Sequence, residues 1–340
     1  RERLEATQSP QSTEVIDIKK NPEIMKRMQS RFDIRANKKA LLSPSALNCY
    51  MDCSLKFYYK YVAGLTTPDE VSAEIDSAKF GSIFHYAAEH IYKDLTSRNK
   101  VIDRTELEEL LKDDVRIQNY VDNGFKELFF NIPQDERPEY NGVQLINSAV
   151  IVRYIKQLLK NDLRYAPFTF TGSETFVEEE VNISTPKGDI KSRIGGIIDR
   201  MDTKDNMLRI VDYKTGGDAD SPESIESLFL PDKKRSGYTF QTFLYASIIC
   251  RKLREAGKDL NVAPALLYIH KAASDSYSPI IRIGEARKKE DVTDFKIHEE
   301  EFRSRLKVLL EEIFNPELKF SQTDIEEKCA YCDYKNLCKR

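Results

Sequence analysis

Two short apolar runs rich in β-branched residues, 194–201 and 208–213, are separated by a polar stretch containing Asp202, Lys204, Asp205 and Asn206. This pattern predicts two strands joined by a tight turn. Each strand is expected to end in an aspartate, Asp199 in the first and Asp212 in the second. Side chains alternate along a strand, so Asp212 and Lys214 share one face and Tyr213 takes the other. Asp199, on the neighbouring strand, then falls within a few ångströms of Asp212. Two carboxylates that close repel unless a divalent cation lies between them. Lys214 is placed to hold a phosphate oxygen or an attacking water. Taken alone, D-x-K is common, and a β-hairpin with a surface ion pair explains it equally well.

A chain of 340 residues can bury a large core in one decorated domain or in two. Its 40% apolar and 32% charged residues describe a soluble globular protein. No apolar run approaches a bilayer span, and no signal-peptide pattern opens the chain, so a cytoplasmic protein without membrane partners is expected. The formal charge of −3, from 53 basic and 56 acidic residues, excludes recruitment of nucleic acid by a global positive field. A nucleic-acid surface must be a local patch, and Lys233-Lys234-Arg235 is the candidate. The first residue is Arg1 rather than Met, which implies a piece of a longer polypeptide.

Residues 1–40 are polar with one weak amphipathic stretch from Ile24 to Phe32, and read as a linker or docked arm ahead of a main domain at 41–340. Ser43 is placed to cap a helix with Pro44 in its first turn, continuing through the aromatic and lysine residues up to Tyr61. Apolar residues at 80, 84, 87, 88 and 91 make one helical stripe, with His85 near its edge. Periodicity over about 104–130 and 143–165 marks a helical insertion at about 100–168. Residues 176–183 alternate as a strand, on which Glu178 and Glu180 are read as a solvated face rather than as metal ligands. Further strands are expected at 265–269 and 280–283, then a last helix through Phe302, Leu306 and Ile313, ended by Asn315-Pro316. The expected class is α/β, a mixed central sheet flanked by helices.

Other motifs keep company with the hairpin. Phe80-Gly81-Ser82-Ile83-Phe84-His85 contains G-x-x-x-H, and Gln241 and Tyr245 are i,i+4 neighbours on a helix. Residues 45–59 follow S-x-L-x-x-Y-x-x-C-x-x-K-F-x-Y, and the tail carries Cys329-x-x-Cys332 and Cys338. In this order, with Asp199 and Asp212-Tyr213-Lys214, they resemble the PD-(D/E)xK nucleases, specifically the RecB and AddB branch, over about residues 43–340. Ser54 departs from the proline usual in that branch. The resemblance implies a restriction-endonuclease-like core. It also implies that His85, Asp199, Asp212 and the main-chain carbonyl of Tyr213 hold Mg²⁺ or Mn²⁺, and that Lys214 orients the nucleophile. Gln241 and Tyr245 would help position DNA or the scissile phosphate.

Six cysteines sit at 49, 53, 250, 329, 332 and 338. In an intracellular chain such clustering argues for metal rather than disulfides. Four thiolates hold either zinc or an iron–sulfur cluster, and chemistry alone favours zinc. Resemblance to the iron–sulfur staple of AddB and of CRISPR-associated RecB-like nucleases implies instead a [4Fe–4S] cluster on Cys53, Cys329, Cys332 and Cys338, within a tail at 324–340. Cys49, one helical turn before Cys53, is an alternative first ligand. Cys250 reads as a small buried hydrophobe.

The implied activity is metal-dependent hydrolysis of DNA, as an exonuclease on ends or single strands. The implied setting is the nuclease domain of an AddB-type helicase–nuclease in double-strand-break repair, with a helicase subunit or the rest of a longer polypeptide as partner. A free-standing RecB-like exonuclease of CRISPR adaptation type is the alternative enzyme. A non-catalytic DNA-binding scaffold is the alternative of a different class, and the presence of His85, Asp199, Asp212 and Lys214 together argues against it.

Overall fold

The computed structural model describes residues 16–66, 74–218 and 221–340. The described chain begins with β1 (Asp17–Ile18) and α1 (Pro22–Phe32), followed by α2 (Pro44–Asp52), the single turn α3 (Ser54–Phe57) and the long α4 (Ser77–Leu95). Next come β2 (Val101–Ile102), α5 (Arg104–Lys112), α6 (Asp114–Phe125) and α7 (Gly142–Tyr165). The strands β3 (Phe168–Ile183), β4 (Ile190–Lys204) and β5 (Met207–Lys214) then run consecutively. After α8 (Gly237–Glu255) and β6 (Asn261–Tyr268) the chain closes with β7 (Arg282–Ile283), β8 (Glu290–Asp291), α9 (Lys296–Phe314) and β9 (Phe320–Ser321).

The central sheet has the order β2-β3-β4-β5-β6. Its first three pairings are antiparallel and β5–β6 is parallel, so the sheet is mixed. The turn between β4 and β5 is the one the polar stretch predicts. Asp205 and Asn206 both have positive φ, a conformation their short polar side chains tolerate. β5 is buried on both faces, as expected of a strand with a parallel neighbour. Its Leu208 and Ile210 face a core built with Phe240 and Phe302 of α8 and α9, while Val211 and Tyr213 face a second core with Phe84 of α4 and Leu158 of α7.

The N-terminal segment is docked from residue 16 onward; residues 1–15 of the expected arm lie outside the described residues. β1 pairs with β9, and α1 buries Ile24, Met25, Met28 and Phe32. Lys20 donates to the carbonyls of Glu312 and Ile313, 3.1 and 2.8 Å away, and so satisfies the end of α9.

Four expectations change. The strand expected at 176 begins at Phe168, because a bulge between Phe170 and Gly172 interrupts the alternation. The helical stretch at 104–130 divides at Asp113, whose side chain caps α6. The helix from Ser43 breaks at Cys53, which is extended (φ −165°, ψ 108°) and starts α3. Residues 280–283 do not complete the sheet: Ile280 makes an isolated bridge to Ala265. On that edge of β6 stands Pro264, which accepts from Ile281 but has no N–H to continue a ladder. No helix among the described residues is long and apolar enough to cross a membrane.

Candidate active site

Pairing of β4 with β5 stops at Arg200 and Val211, and the two strands fork beyond it. Asp199 and Asp212 stand at the fork. Asp199 is therefore in mid-strand rather than at a strand end, since β4 stays paired with β3 back to Ile190. Its Oδ2 accepts the N–H of Tyr213 at 2.7 Å, which ties the carboxylate across the fork. Asp212, 3% exposed, accepts from Gln241 Nε2 at 2.8 Å through Oδ1, and Lys214 Nζ lies 2.6 Å from its Oδ2.

α4 delivers His85. The helix starts at the cap Asp76 and buries Ile83, Phe84, Ala87, Ala88 and Ile91, and His85 projects beside this stripe. Its Nδ1 is 3.6 Å from Asp199 Oδ1 and 3.9 Å from Glu174 Oε1. Ligand atoms of His85, Glu174 and Asp199 all lie within 4.8 Å of one another.

Glu174 is the site residue that sequence reasoning missed. The bulge shifts the β3 register by one, which places Glu174 opposite Asp199, between the pairs Ser173–Arg200 and Thr175–Ile198. Its φ of +43° departs from strand geometry. The signal was the Gly172-Ser173-Glu174 stretch, where β alternation fails. Glu178 and Glu180 instead face Arg193 and Lys191, at 3.7 and 2.7 Å.

At the fork three carboxyl groups share one lysine and one histidine. Burial, followed by the proximity of Asp212, pushes the Asp199 carboxyl up to about 7. Burial works to lower the pKa of Lys214, but Asp212 prevails and the ammonium sits above its ordinary range. For His85 burial again acts downward, and Asp199, Glu174 and Asp212 outweigh it, so the net direction is up. Carboxylates with one imidazole suit Mg²⁺ or Mn²⁺, and a divalent charge relieves the repulsion that raises Asp199.

Beside these groups opens a cleft of about 960 Å³, lined by Phe80, Gly81, His85, Glu174, Lys214 and Tyr238 among others. The Tyr238 ring centroid is 4.2 Å from Lys214 Nζ, a cation–π contact that restrains the lysine. Tyr245 does not reach the cleft. It is buried, and a Cβ on Gly196 would fall 2.7 Å from its hydroxyl, so glycine is what lets this tyrosine brace β4. Tyr245 stands behind the fork with Gln241, near Asp212 and Asp199, and Gln241 bonds Asp212 directly.

The basic patch is corrected in part. Arg235 has a side chain only 1% exposed, paired with Asp52 at 2.9 Å and bonded to Asn48, so it fastens the start of α8 to α2. Lys233 pairs with Glu327 at 2.9 Å, and Lys234 stays at the exposed surface.

The cysteines expected to act together do approach. Cys53 sits between α2 and α3, its thiol accepting from Lys56 N–H. The tail is held there by mutual bonds between Ser54 and Ser321 (3.2 and 2.8 Å) and by Tyr334 donating to the carbonyl of Leu65 (2.7 Å). Burial raises the thiols of Cys329 and Cys338, and the neighbouring Cys53 and Cys332 raise both further. Cys49 is pushed by burial up to about 12, among Lys56, Lys60, Cys53 and Asp52. Cys250 is buried, as a small core residue should be.

A mixed sheet forks around clustered carboxylates, with a lysine and a histidine beside them, and the family match gives the class, a nuclease. The match to the PD-(D/E)XK nuclease superfamily covers residues 41–339, and the chain belongs to that superfamily. Its restriction-endonuclease-like core is this central sheet and its flanking helices. The chain is 26% identical over 183 residues to a subunit of the ATP-dependent helicase/deoxyribonuclease of Carboxydothermus hydrogenoformans, in keeping with the RecB/AddB-like resemblance. That match covers 52% of this chain and 16% of the relative. Among solved structures, SSO0001 aligns over 77% of this chain and 96% of its own, with 11% identity and a TM-score of 0.24.

Proposed function

We propose that this chain is a Mg²⁺- or Mn²⁺-dependent deoxyribonuclease that hydrolyses DNA from ends or in single strands, as the nuclease domain of an AddB-type helicase–nuclease in double-strand-break repair. The observation that carries the reading is the meeting of His85, Glu174, Asp199, Asp212 and Lys214 at one fork with carboxylate in excess. His85, Glu174, Asp199, Asp212 and the Tyr213 carbonyl would hold the cation. When bound, it acts as a Lewis acid and lowers the pKa of water. Gln241 holds Asp212 in one orientation. Lys214, kept charged by Asp212, faces the cleft, where it stabilises the charge that develops on phosphate oxygens. His85 would hold the cation through a neutral imidazole. Incubating end-labelled single- and double-stranded DNA with and without Mg²⁺ tests this. Cleavage that requires the metal and disappears in Asp212→Ala is expected; undiminished cleavage by Asp212→Ala would overturn the assignment.

For the cysteines, the same reading gives a [4Fe–4S] staple on Cys53, Cys329, Cys332 and Cys338. It is supported by their convergence, since Cys53 and Cys332 lie near enough to Cys329 and Cys338 to raise both thiols. Anaerobically purified protein should contain about four irons per chain. Cys332→Ala should lose them and gain protease sensitivity at the tail, while Cys250→Ala keeps them. Zinc without iron would replace the cluster by a zinc staple.

A further inference from the structure

The sheet continues past the fork as bare strand. Phe176 of β3 and Ile197 of β4 are register partners two residues beyond Glu174 and Asp199, about 7 Å along the strands. They are 53% and 48% exposed, while Val177 and Ile198 beside them point to the opposite face and are buried in the core with α8. Phe176 and Ile197 therefore lie on the side of the sheet from which α4 presents His85, outside the cleft. Farther along, Arg193 and Lys191 are ion-paired with Glu178 and Glu180. The apolar pair is thus bounded by the metal-site acids on one side and by neutralised charges on the other.

A half-exposed phenylalanine here forgoes much of the stabilisation that burial supplies. Its free face is the surface that an unstacked nucleobase requires, and stacking of this kind tolerates any base. We propose that Phe176 and Ile197 form a base-binding platform for the nucleotide next to the scissile phosphate, so that the strand being cut is engaged single-stranded. This rests on the nuclease reading above. A base within a duplex keeps both faces stacked on its neighbours and cannot use the platform. Lys191 and Arg193, the basic residues of these two strands beyond the pair, already face Glu180 and Glu178, so stacking rather than phosphate attraction holds the base. The contribution of the platform is accordingly insensitive to salt.

The test uses end-labelled oligo(dT), alone and annealed to oligo(dA), with wild type, Phe176→Ala, Phe176→Trp and Phe176→Ala/Ile197→Ser. KM and kcat are measured with Mg²⁺, and binding by fluorescence anisotropy without it. Phe176→Ala should raise KM and the binding midpoint for the single strand about tenfold, with kcat held, and the double variant more. Phe176→Trp should restore binding, and all variants should keep the wild-type thermal midpoint. Wild-type KM and binding in both Phe176→Ala and the double variant would overturn the platform and leave the face to a protein partner. Wild type that binds oligo(dT) but cuts nothing, with binding lost in Phe176→Ala, would keep the platform and overturn the nuclease reading. Wild type that neither binds nor cuts overturns both.

Discussion

Two sets of carboxylates gather around the β4–β5 hairpin, one buried and one opening on the cleft, and the fold treats them in opposite ways. Under α4 and α7, Asp162 and Asp202 meet Arg200 and Arg209 in a closed network. Arg200 reaches Asp162 at 2.6 Å and Asp202 at 2.7 Å, and Arg209 reaches Asp202 at 2.7 Å. Tyr92 donates to Asp162, and the Arg200 guanidinium lies over the Tyr92 and Phe168 rings. Burial works to raise the Asp202 carboxyl, but Arg200 and Arg209 hold it below the ordinary carboxylate range. At the fork, by contrast, Glu174, Asp199 and Asp212 share Lys214 and a histidine, and Asp199 rises to about 7. The pairs in the closed network are completed within the fold. At the fork the balance is left for a ligand, which is how a functional charge cluster differs from a structural one.

Substitutions at the two clusters should separate activity from stability. Asp212→Ala and Lys214→Ala should each lower kcat about a thousandfold or more with folding retained, since both side chains serve the cation or the transition state. Circular dichroism beside the cleavage assay checks this, and loss of fold in both variants would merge the two clusters. On the closed side, Arg200→Met strands Asp162 without its partner. Urea unfolding should show a loss of about 3–5 kcal/mol, and Arg200→Met combined with Asp162→Leu should recover much of it.

Asp199→Asn should do the reverse, abolishing cleavage while raising metal-free stability by about 1–2 kcal/mol. The sign follows from the titration. With its folded value raised from 3.8 to about 7, Asp199 keeps a proton in the fold that the unfolded chain has released. Metal-free stability therefore falls as pH rises between about 4 and 7, by at most about 1.4 kcal/mol per pH unit from this group, and levels off above. Divalent metal, which needs the carboxylate, should bind more tightly over the same interval. Urea midpoints at pH 5 and 8 in wild type and Asp199→Asn measure it; identical pH slopes in the two proteins would show that the fork is already neutralised. The smallest effect belongs to Lys233→Ala and Lys234→Ala, which should change stability in urea unfolding by less than about 0.5 kcal/mol each, because both lie at the exposed surface and the Lys233–Glu327 pair is open to solvent.

Local pattern was enough to read the hairpin, its turn, the shared face of Asp212 and Lys214, and the helical stripe that carries His85. Each depends on a short period in φ, ψ and side-chain direction, and that period is written along the chain itself. Glu174 was different. It became a site residue through a one-residue bulge and through pairing with β4, and no local period encodes register across strands. Arg235 looked like part of a basic surface because sequence shows charge but not partner; Asp52, far earlier in the chain, buried it. Tyr245 found its place behind the fork because a glycine on β4 leaves room for its ring, a long-range fit that no local pattern shows. Residue types set which chemistry was possible. Long-range packing, by choosing which charges are paired, decided which of them were left for a ligand.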